Sequence, residues 1–538
     1  MPLPIRSGVG RAAARFAPYL LLALLVALPA HAAKKKSASA APAKSSKSSA
    51  PFTTGLESLE KQVQEFTLPN GLHFLVVERH ESPVFSFETV VNSGSANDQV
   101  GTTGIAHMME HMAFKGTALV GTSDYAGEKP LLANEETSYD AYLAERRKGA
   151  AADTSKLSAL QKSFHDAQEA ARAKVVSNGF TSLLEQNGAT GLNAFTANDL
   201  TAYFYSLPSN RLELWALMEG GRMAYPVFRE FYKERDVVYE ERRMRYESSP
   251  TGRLFWEFIT TAFVAHPYGF GGIGYPSDLK SFTRTEGEEF YKKNYVAKNM
   301  CVAVVGDVKT AEVKDVATKY FSEVSDAPAP PPLDTVEPEQ RAERRILLED
   351  AAQPYVFIGF HIPAGGDPRY PAYEAAADLL GGGAFARLNK ELVKEKKICA
   401  AVGASTGFPG QKYPNLMFVF AVPAAGQDPA AVESEVERVI AEAMTTKPFT
   451  QTELDGFKTR TRAETIRAAE DNQSLAGELA QAQETRGDWH DFFRDAESAQ
   501  KVTLADVSAA MTSSIKPSNR TVAMIVNPKK QAANEGGH

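Results

Sequence analysis

Gly104-Ile105-Ala106-His107-Met108-Met109-Glu110-His111-Met112-Ala113-Phe114 is the stretch on which the reading of this chain turns. Its residues favour helix, and residues four apart share a helix face, so His107 and His111 can grip one metal ion. Glu110, three residues from His107, stands beside them and can take a proton from water held at the ion. That is the layout of a zinc hydrolase. It reverses the commoner H-E-x-x-H, with two neutral imidazoles holding the metal and an unligated Glu serving as base. The setting supports this reading, because Ile105, Ala106, Met108, Met109, Met112, Ala113 and Phe114 make the surrounding helix apolar. Burying two histidines and a glutamate there without partners would cost roughly several kcal/mol.

Two histidines on one helix need a third ligand from another element and an open fourth position. Residues 229–246 (REFYKERDVVYEERRMRY) are the next strong run of helix formers. Glu234 and Glu241, seven apart, share a face, while Glu240 is rotated from its neighbour by about 100°. Glu241 is the candidate third ligand, with Glu234 behind it as a carboxylate that orients the site. Spacing alone does not choose among Glu234, Glu240 and Glu241, and in so charged a helix each is equally readable as an exposed salt-bridge partner.

The chain begins with the pattern of a secretory signal over residues 1–32. Arg6, Arg11 and Arg15 form a basic region, residues 19–28 a short apolar core, and Ala30-His31-Ala32 a small-residue cleavage site. The mature protein is expected to start near Ala33 and to be periplasmic or secreted, with an uncleaved anchor as the alternative. No other stretch has the length and apolarity of a membrane span. Residues 33–58 are expected to be a disordered basic tether, since their low-complexity run of Lys, Ser and Ala has little to bury.

The remainder is too long for one core and calls for at least two domains. A formal charge of −7 and the lack of a basic stripe with interleaved aromatics exclude a nucleic-acid partner. The two cysteines, Cys301 and Cys399, are readable as buried thiols or as one bridge. They cannot supply a disulfide framework or a thiolate zinc site.

Residues 65–92 alternate polar and apolar side chains around Pro69-Asn70-Gly71, which predicts a hairpin and a third strand. His73 and His80 near these strands carry no assigned role. Helical spacing over about 118–188, with a polar link at 148–153, predicts an inserted helical hairpin bearing His165 on its surface. Residues 188–207 have the composition of paired strands. Phe195, Tyr203, Phe204 and Tyr205 on them are readable either as lining a peptide groove or as core aromatics.

Taken together, residues 104–117 (GIAHMMEHMAFKGT), 192–196 (LNAFT), 234–242 (ERDVVYEER) and 265–269 (AHPYG) resemble the pitrilysin or insulinase family of zinc peptidases, the inverzincins, and its bacterial processing-peptidase-like members. The resemblance runs from about Thr67 to Asn527. It implies one zinc per chain held by His107, His111 and Glu241, with Glu234 supporting them and Glu110 as base. It also implies that Asn193 and Ala194, with Phe195 beside them, form an edge strand that holds substrate backbone. The fold implied is α+β: two homologous halves, each a mainly antiparallel sheet packed with helices, enclosing a peptide groove.

The second half fits a duplication. Residues 299–308 (NMCVAVVGDV) and 519–527 (NRTVAMIVN) are similar closing strands. The expected boundaries are a zinc-binding domain at 59–325, a proline-rich linker at 326–340, a homologous inactive domain at 341–530 and a tail at 531–538. Aligning Gly116 with Gly382 puts Tyr373, Ala376 and Ala377 where His107, Glu110 and His111 stand, so the second copy cannot bind zinc in this way. His361 and His490 are read as structural or exposed.

The inserted hairpin is one departure from the family pattern, and a second touches mechanism. Many relatives carry an Arg and a Tyr seven residues apart in the inactive half, the Tyr helping to stabilise the oxyanion. Matching residues 392–402 (LVKEKKICAAV) to that segment puts Val393 and Ala400 at those places. The expectation is therefore a zinc endopeptidase or oligopeptidase acting on peptides or unfolded chains, with a homologous partner chain supplying Arg and Tyr. The alternative to that partner is a lone chain using Lys394, Lys396, Lys397 or Tyr413. The alternative to catalysis is a binding or assembly subunit that keeps the fold.

Overall fold

The computed structural model describes residues 52–527. The expected signal at 1–32, most of the expected tether and the expected tail at 531–538 lie outside them. The tether is shorter than its composition implied, because residues from Phe52 onward form a helix, Phe52–Glu60. Leu56 is buried there in a cluster with Leu75 and Val77, and Leu59 packs against it. The apolar spacing of these leucines outweighs the polar residues between them.

The first sheet contains β1 (Gln64–Thr67), β2 (His73–Glu78), β3 (Val84–Val91), β4 (Thr190–Thr196), β5 (Thr201–Pro208) and β6 (Met300–Gly306). Its order is β1-β2-β6-β3-β5-β4. The second contains β7 (Arg344–Glu349), β8 (Val356–Ile362), β9 (Cys399–Phe408), β10 (Asn415–Pro423) and β11 (Arg520–Val526), in the order β7-β11-β8-β10-β9. Pairing is parallel at β2–β6 and β7–β11 and antiparallel at the other described pairs. With the β1 hairpin set aside, one order maps onto the other strand for strand. The two halves are thus homologous α+β units, and β6 and β11 are corresponding strands.

Seven helices frame the site and the seam between the halves. They are α1 (Ile105–Met112), α2 (Tyr125–Arg146), α3 (Thr154–Arg172), α4 (Phe231–Arg242), α5 (Pro250–Ala262), α6 (Tyr370–Gly381) and α7 (Asn472–Arg486). α1 follows β3, and α6 follows β8 at the equivalent place. A sheet buried on both faces needs helices on both, and here the halves exchange them. α5 of the first half packs on β11 and β7, and α7 of the second packs on β3 and β6. Phe258 of α5 is fully buried among the rings of Phe357, Phe408 and Phe418, with centroids 5.5–6.2 Å away. Truncating one such ring typically costs about 3–5 kcal/mol. The seam between the halves is therefore packed core, and 326–340 crosses it without regular secondary structure.

Within 118–188, α2 and α3 lie antiparallel on either side of a short turn, each capped at its start by the side chain of Asp124 or Asp153. Tyr139 and Phe164 stack between these helices and onto Tyr232 of α4, with centroids 4.1–5.1 Å apart. Arg229, just before α4, makes a buried ion pair with Glu128 of α2 at 2.9 Å. The hairpin is thus anchored to the helix that carries Glu234 and Glu241.

Cys301 and Cys399 are both buried free thiols, on β6 and β9. No described helix is long and apolar enough to cross a membrane.

Candidate active site

α1 is aimed by the loop that precedes it. Gly104 has φ +92, and a Cβ there would lie 2.2 Å from the Ile273 carbonyl oxygen, so only glycine can make this turn without displacing backbone. The first free N–H groups of the helix find a buried carboxylate: Asp98 accepts from Gly104 N at 2.7 Å and Ala106 N at 3.0 Å. Met108, Met109 and Met112 fill the core. The opposite side carries His107, Glu110 and His111.

α4 brings up the third group. Glu241 Oε2 lies 3.7 Å from His107 Nε2 and 3.6 Å from His111 Nε2, and one ligand atom from each of the three residues lies within 4.8 Å of the others. Glu240 turns away, more than half exposed, and pairs with Arg243. This is the choice that spacing left open. Glu234, also on α4, stands 3.5 Å from His111 Nδ1 and is bridged by Lys115, whose Nζ also lies 3.1 Å from Glu230. Glu110 sits at the edge of the group, its Oε2 accepting from Thr196 Oγ1 at 2.8 Å and 4.0 Å from His107 Nε2.

A cavity of about 340 Å³ opens beside Glu110 and His111. Its walls include Phe114, Lys115, Val176, Asn193 and Ala194, and it is lined wholly by first-half residues rather than lying in the seam between the halves. β4 is the outermost strand of its sheet, so one of its edges is unpaired, and Leu192, Asn193 and Ala194 of this strand line the space. Of the three residues expected to touch substrate, the structure brings Asn193 and Ala194 to the cavity. Phe195 is not among the cavity residues. Its side chain leaves the strand opposite to that of Ala194, and its ring packs against the cluster beneath α7 and against Phe204 at 6.2 Å. Tyr203 and Tyr205 are likewise buried core and not groove residues.

Residues 281–460 match the peptidase M16 inactive domain, and residues 74–130 match insulinase, peptidase family M16. The chain carries insulinase-family domains. The zinc protease PqqE of Helicobacter pylori is 28% identical over 428 residues, which cover 78% of this chain and 82% of that protein. In fold, a protease from Helicobacter pylori of known crystal structure superposes with a TM-score of 0.72 at 24% identity, covering 86% of this chain and 99% of that one. The periplasmic protease PqqL of Escherichia coli gives 0.64 at 16% identity, over 88% of this chain but 48% of its own.

α6 carries Tyr373, Ala376 and Ala377, all buried. Tyr373 shares a hydrogen bond with Ser513 at 2.6 Å, and these three places lack the imidazoles and carboxylate of α1. Val393 packs against the second-half core, and Ala400 is exposed on β9.

The electrostatics around His107 and His111 favour a cation. Burial drives the His107 imidazole down to about 3, which keeps it neutral. Burial also opposes charge on His111, but hydrogen bonds to Glu234 and Glu241 outweigh it and raise that ring to about 9. In the metal-free protein, His111 therefore supplies the positive charge that the carboxylates demand. Against the cost of burial, Glu234 is held near 2 by His111 and Lys115, and Glu241 near 2 by His111, His107 and Arg245. Burial raises the Glu110 carboxyl, with the Thr196 hydrogen bond opposing it.

Thr196, Lys115 and Arg245 are the contacts that sequence reasoning missed. Arg245 holds Glu241 Oε1 at 2.5 Å, leaving Oε2 to the histidines. Thr196 and Lys115 fall inside the motifs, but nothing in their spacing tells what they touch. Arg245 lies in a turn of π-helix, Arg243–Glu247, yet it stands four residues after Glu241, the ordinary spacing of a helical ion pair, so this contact was legible in the sequence.

Proposed function

We propose that this chain is an exported zinc metallopeptidase, and the convergence of His107, His111 and Glu241 beside Glu110 is the observation that carries the reading. Ligand atoms about 2.0–2.2 Å from one tetrahedral centre stand roughly 3.3–3.6 Å apart, close to the 3.6 and 3.7 Å seen from Glu241. Both imidazoles turn Nε2 towards the same carboxylate oxygen, so the three donor atoms face one point. Two imidazoles and one carboxylate are a donor set typical of hydrolytic zinc. His107, His111 and Glu241 would hold the ion, one per chain, and Glu234 and Arg245 would orient two of them. When bound, zinc polarises the scissile carbonyl and lowers the pKa of water towards about 7.

The chain's own residues do the rest. Glu110 accepts the proton of the attacking water and returns it to the leaving amine, and Thr196 keeps its carboxylate turned towards the histidines. The free edge of β4 at Asn193 and Ala194 pairs with an extended substrate, which suits peptides and unfolded polypeptides. Export rests on the signal pattern of residues 1–32. N-terminal sequencing of the natural product is expected to begin near Ala33, and an intact Met1 on a cytoplasmic protein would refute it.

A partner chain completes the reading. Val393 and Ala400 offer no side-chain donor to an oxyanion, and losing one donor costs about 10²–10³ in rate. The fold of this chain accounts for 48% of the length of PqqL, which supports a second unit facing the first. The partner would be a homologous chain lacking H-x-x-E-H but carrying Arg and Tyr. The purified chain alone is expected to cleave peptides weakly, with the homologous chain raising turnover about 10²-fold or more. Full turnover by the lone chain, unchanged by that partner, would remove the partner. No chelator-sensitive cleavage under either condition would leave a binding or assembly subunit instead.

A further inference from the structure

The turn at 197–200 joins three parts of the molecule that are far apart in sequence. It closes the β4–β5 hairpin, in which Thr196 pairs with Thr201 and Ala197 N donates to Leu200 O at 2.8 Å. On one side it is gripped by the loop leading to α1. Ser95 N donates to Ala197 O at 3.0 Å and Ala96 N to Asn198 O at 2.9 Å. A Cβ on Gly94 would lie 2.3 Å from the Ala197 oxygen, so the two backbones touch there.

On the other side the turn is held by the second half through one buried carboxylate, Asp199, only 8% exposed. Its Oδ2 accepts from Gln411 N at 2.8 Å and Lys412 N at 3.1 Å, and its Oδ1 accepts from Tyr268 OH at 2.6 Å. Tyr268 OH in turn accepts from Tyr413 N at 3.2 Å. Gly410 leaves the space: a Cβ there would fall 2.5 Å from Asp199 Oδ2 and 2.6 Å from the Tyr268 hydroxyl. Tyr268 belongs to AHPYG, the motif to which sequence reasoning gave no role.

Directly before the turn stands Thr196, the donor to Glu110. Thr196 is the last residue of an edge strand, where fraying is easiest. Its hydroxyl is 3.4 Å from that of Thr201, which donates to Ser93 O at 2.9 Å. We propose that the second half tunes the first through this clamp: Asp199, tied down by the backbone of 411–412 and by Tyr268, is a positioning residue that fixes Thr196 and through it Glu110. The inference rests on the reading of Glu110 as the base. Its physical content is that the carboxylate of a flexible side chain is steered by one hydroxyl, and that hydroxyl is only as well placed as its turn. A misplacement of about 1 Å at a reacting group can cost roughly 10²-fold.

The test uses the zinc-loaded full chain under conditions in which the parent cleaves peptide. Asp199→Ala is expected to lower kcat about 10- to 100-fold while KM moves much less and zinc stays at the parent level. Tyr268→Phe loses less, and the double variant is no worse than Asp199→Ala, because both break one clamp. Thr196→Ser keeps most of the activity that Thr196→Val loses. Arg253→Gln, which cuts the Arg253–Asp350 bridge elsewhere across the seam, keeps the parent kcat. Parent kcat in Asp199→Ala and Tyr268→Phe, or an equal kcat loss in Arg253→Gln, overturns the proposal. If Asp199→Ala does not fold, Tyr268→Phe decides alone. An active Glu110→Gln would defeat the underlying reading, whereas an inactive Glu110→Gln beside a fully active Asp199→Ala would defeat only the clamp.

Discussion

Glu110→Gln is expected to bind zinc like the parent chain and to cleave peptide at least about 10²- to 10⁴-fold more slowly. The substitution keeps the shape of the side chain and its hydrogen bond from Thr196 Oγ1, now made to an amide oxygen. It removes the one property that matters, the capacity to take a proton. Glu110 lies 4.0 Å from His107 Nε2 and does not belong to the His107, His111 and Glu241 group, so metal affinity has no reason to fall. A ligand variant behaves differently: His111→Ala should lose metal and cleavage together. Metal content measured beside turnover separates the two kinds of loss.

The second large effect separates two adjacent glutamates. Glu241→Gln is expected to weaken zinc binding by well over the ~10- to 100-fold typical of changes behind the ligands, and Glu240→Gln to leave it unchanged. Glu241 Oε2 faces both imidazoles and its other oxygen is neutralised by Arg245, so the amide removes the only carboxylate in the group. Glu240 is more than half exposed and pairs with Arg243, an exposed pair of little energetic weight. Glu234→Gln falls between, since it orients His111 through Nδ1. Competition of each variant with a chromophoric zinc chelator gives the affinities, and equal values for the Glu240 and Glu241 variants would defeat the assignment.

What the chain discloses before folding is what depends on short spacing. His107, Glu110 and His111 lie within two turns of one helix, and Glu234 and Glu241 within two turns of another, so helical period alone puts each set on a face. The duplication is visible because β6 and β11 repeat a pattern of apolar residues ending in a polar turn. What stays hidden depends on contacts between distant residues. Thr196 meets Glu110 across 86 positions, and Asp199 meets Gln411 across 212. The exchange of α5 and α7 between the sheets is equally silent, since an amphipathic helix does not say which sheet it will cover. The helix Phe52–Glu60 shows how two leucines with a sheet to pack against can end a segment whose composition suggests disorder.

The most direct test of the zinc-and-base mechanism reads zinc and cleavage from the same tubes. Parent chain and Glu110→Gln, both stripped of metal and, if needed, supplied with the homologous partner, are titrated with zinc while bound metal and peptide cleavage are followed together. Both are expected to take up one equivalent per chain, and only the parent to gain activity, in proportion to the metal bound. Cleavage by the stripped parent in excess chelator, or comparable cleavage by zinc-loaded Glu110→Gln, would contradict that mechanism.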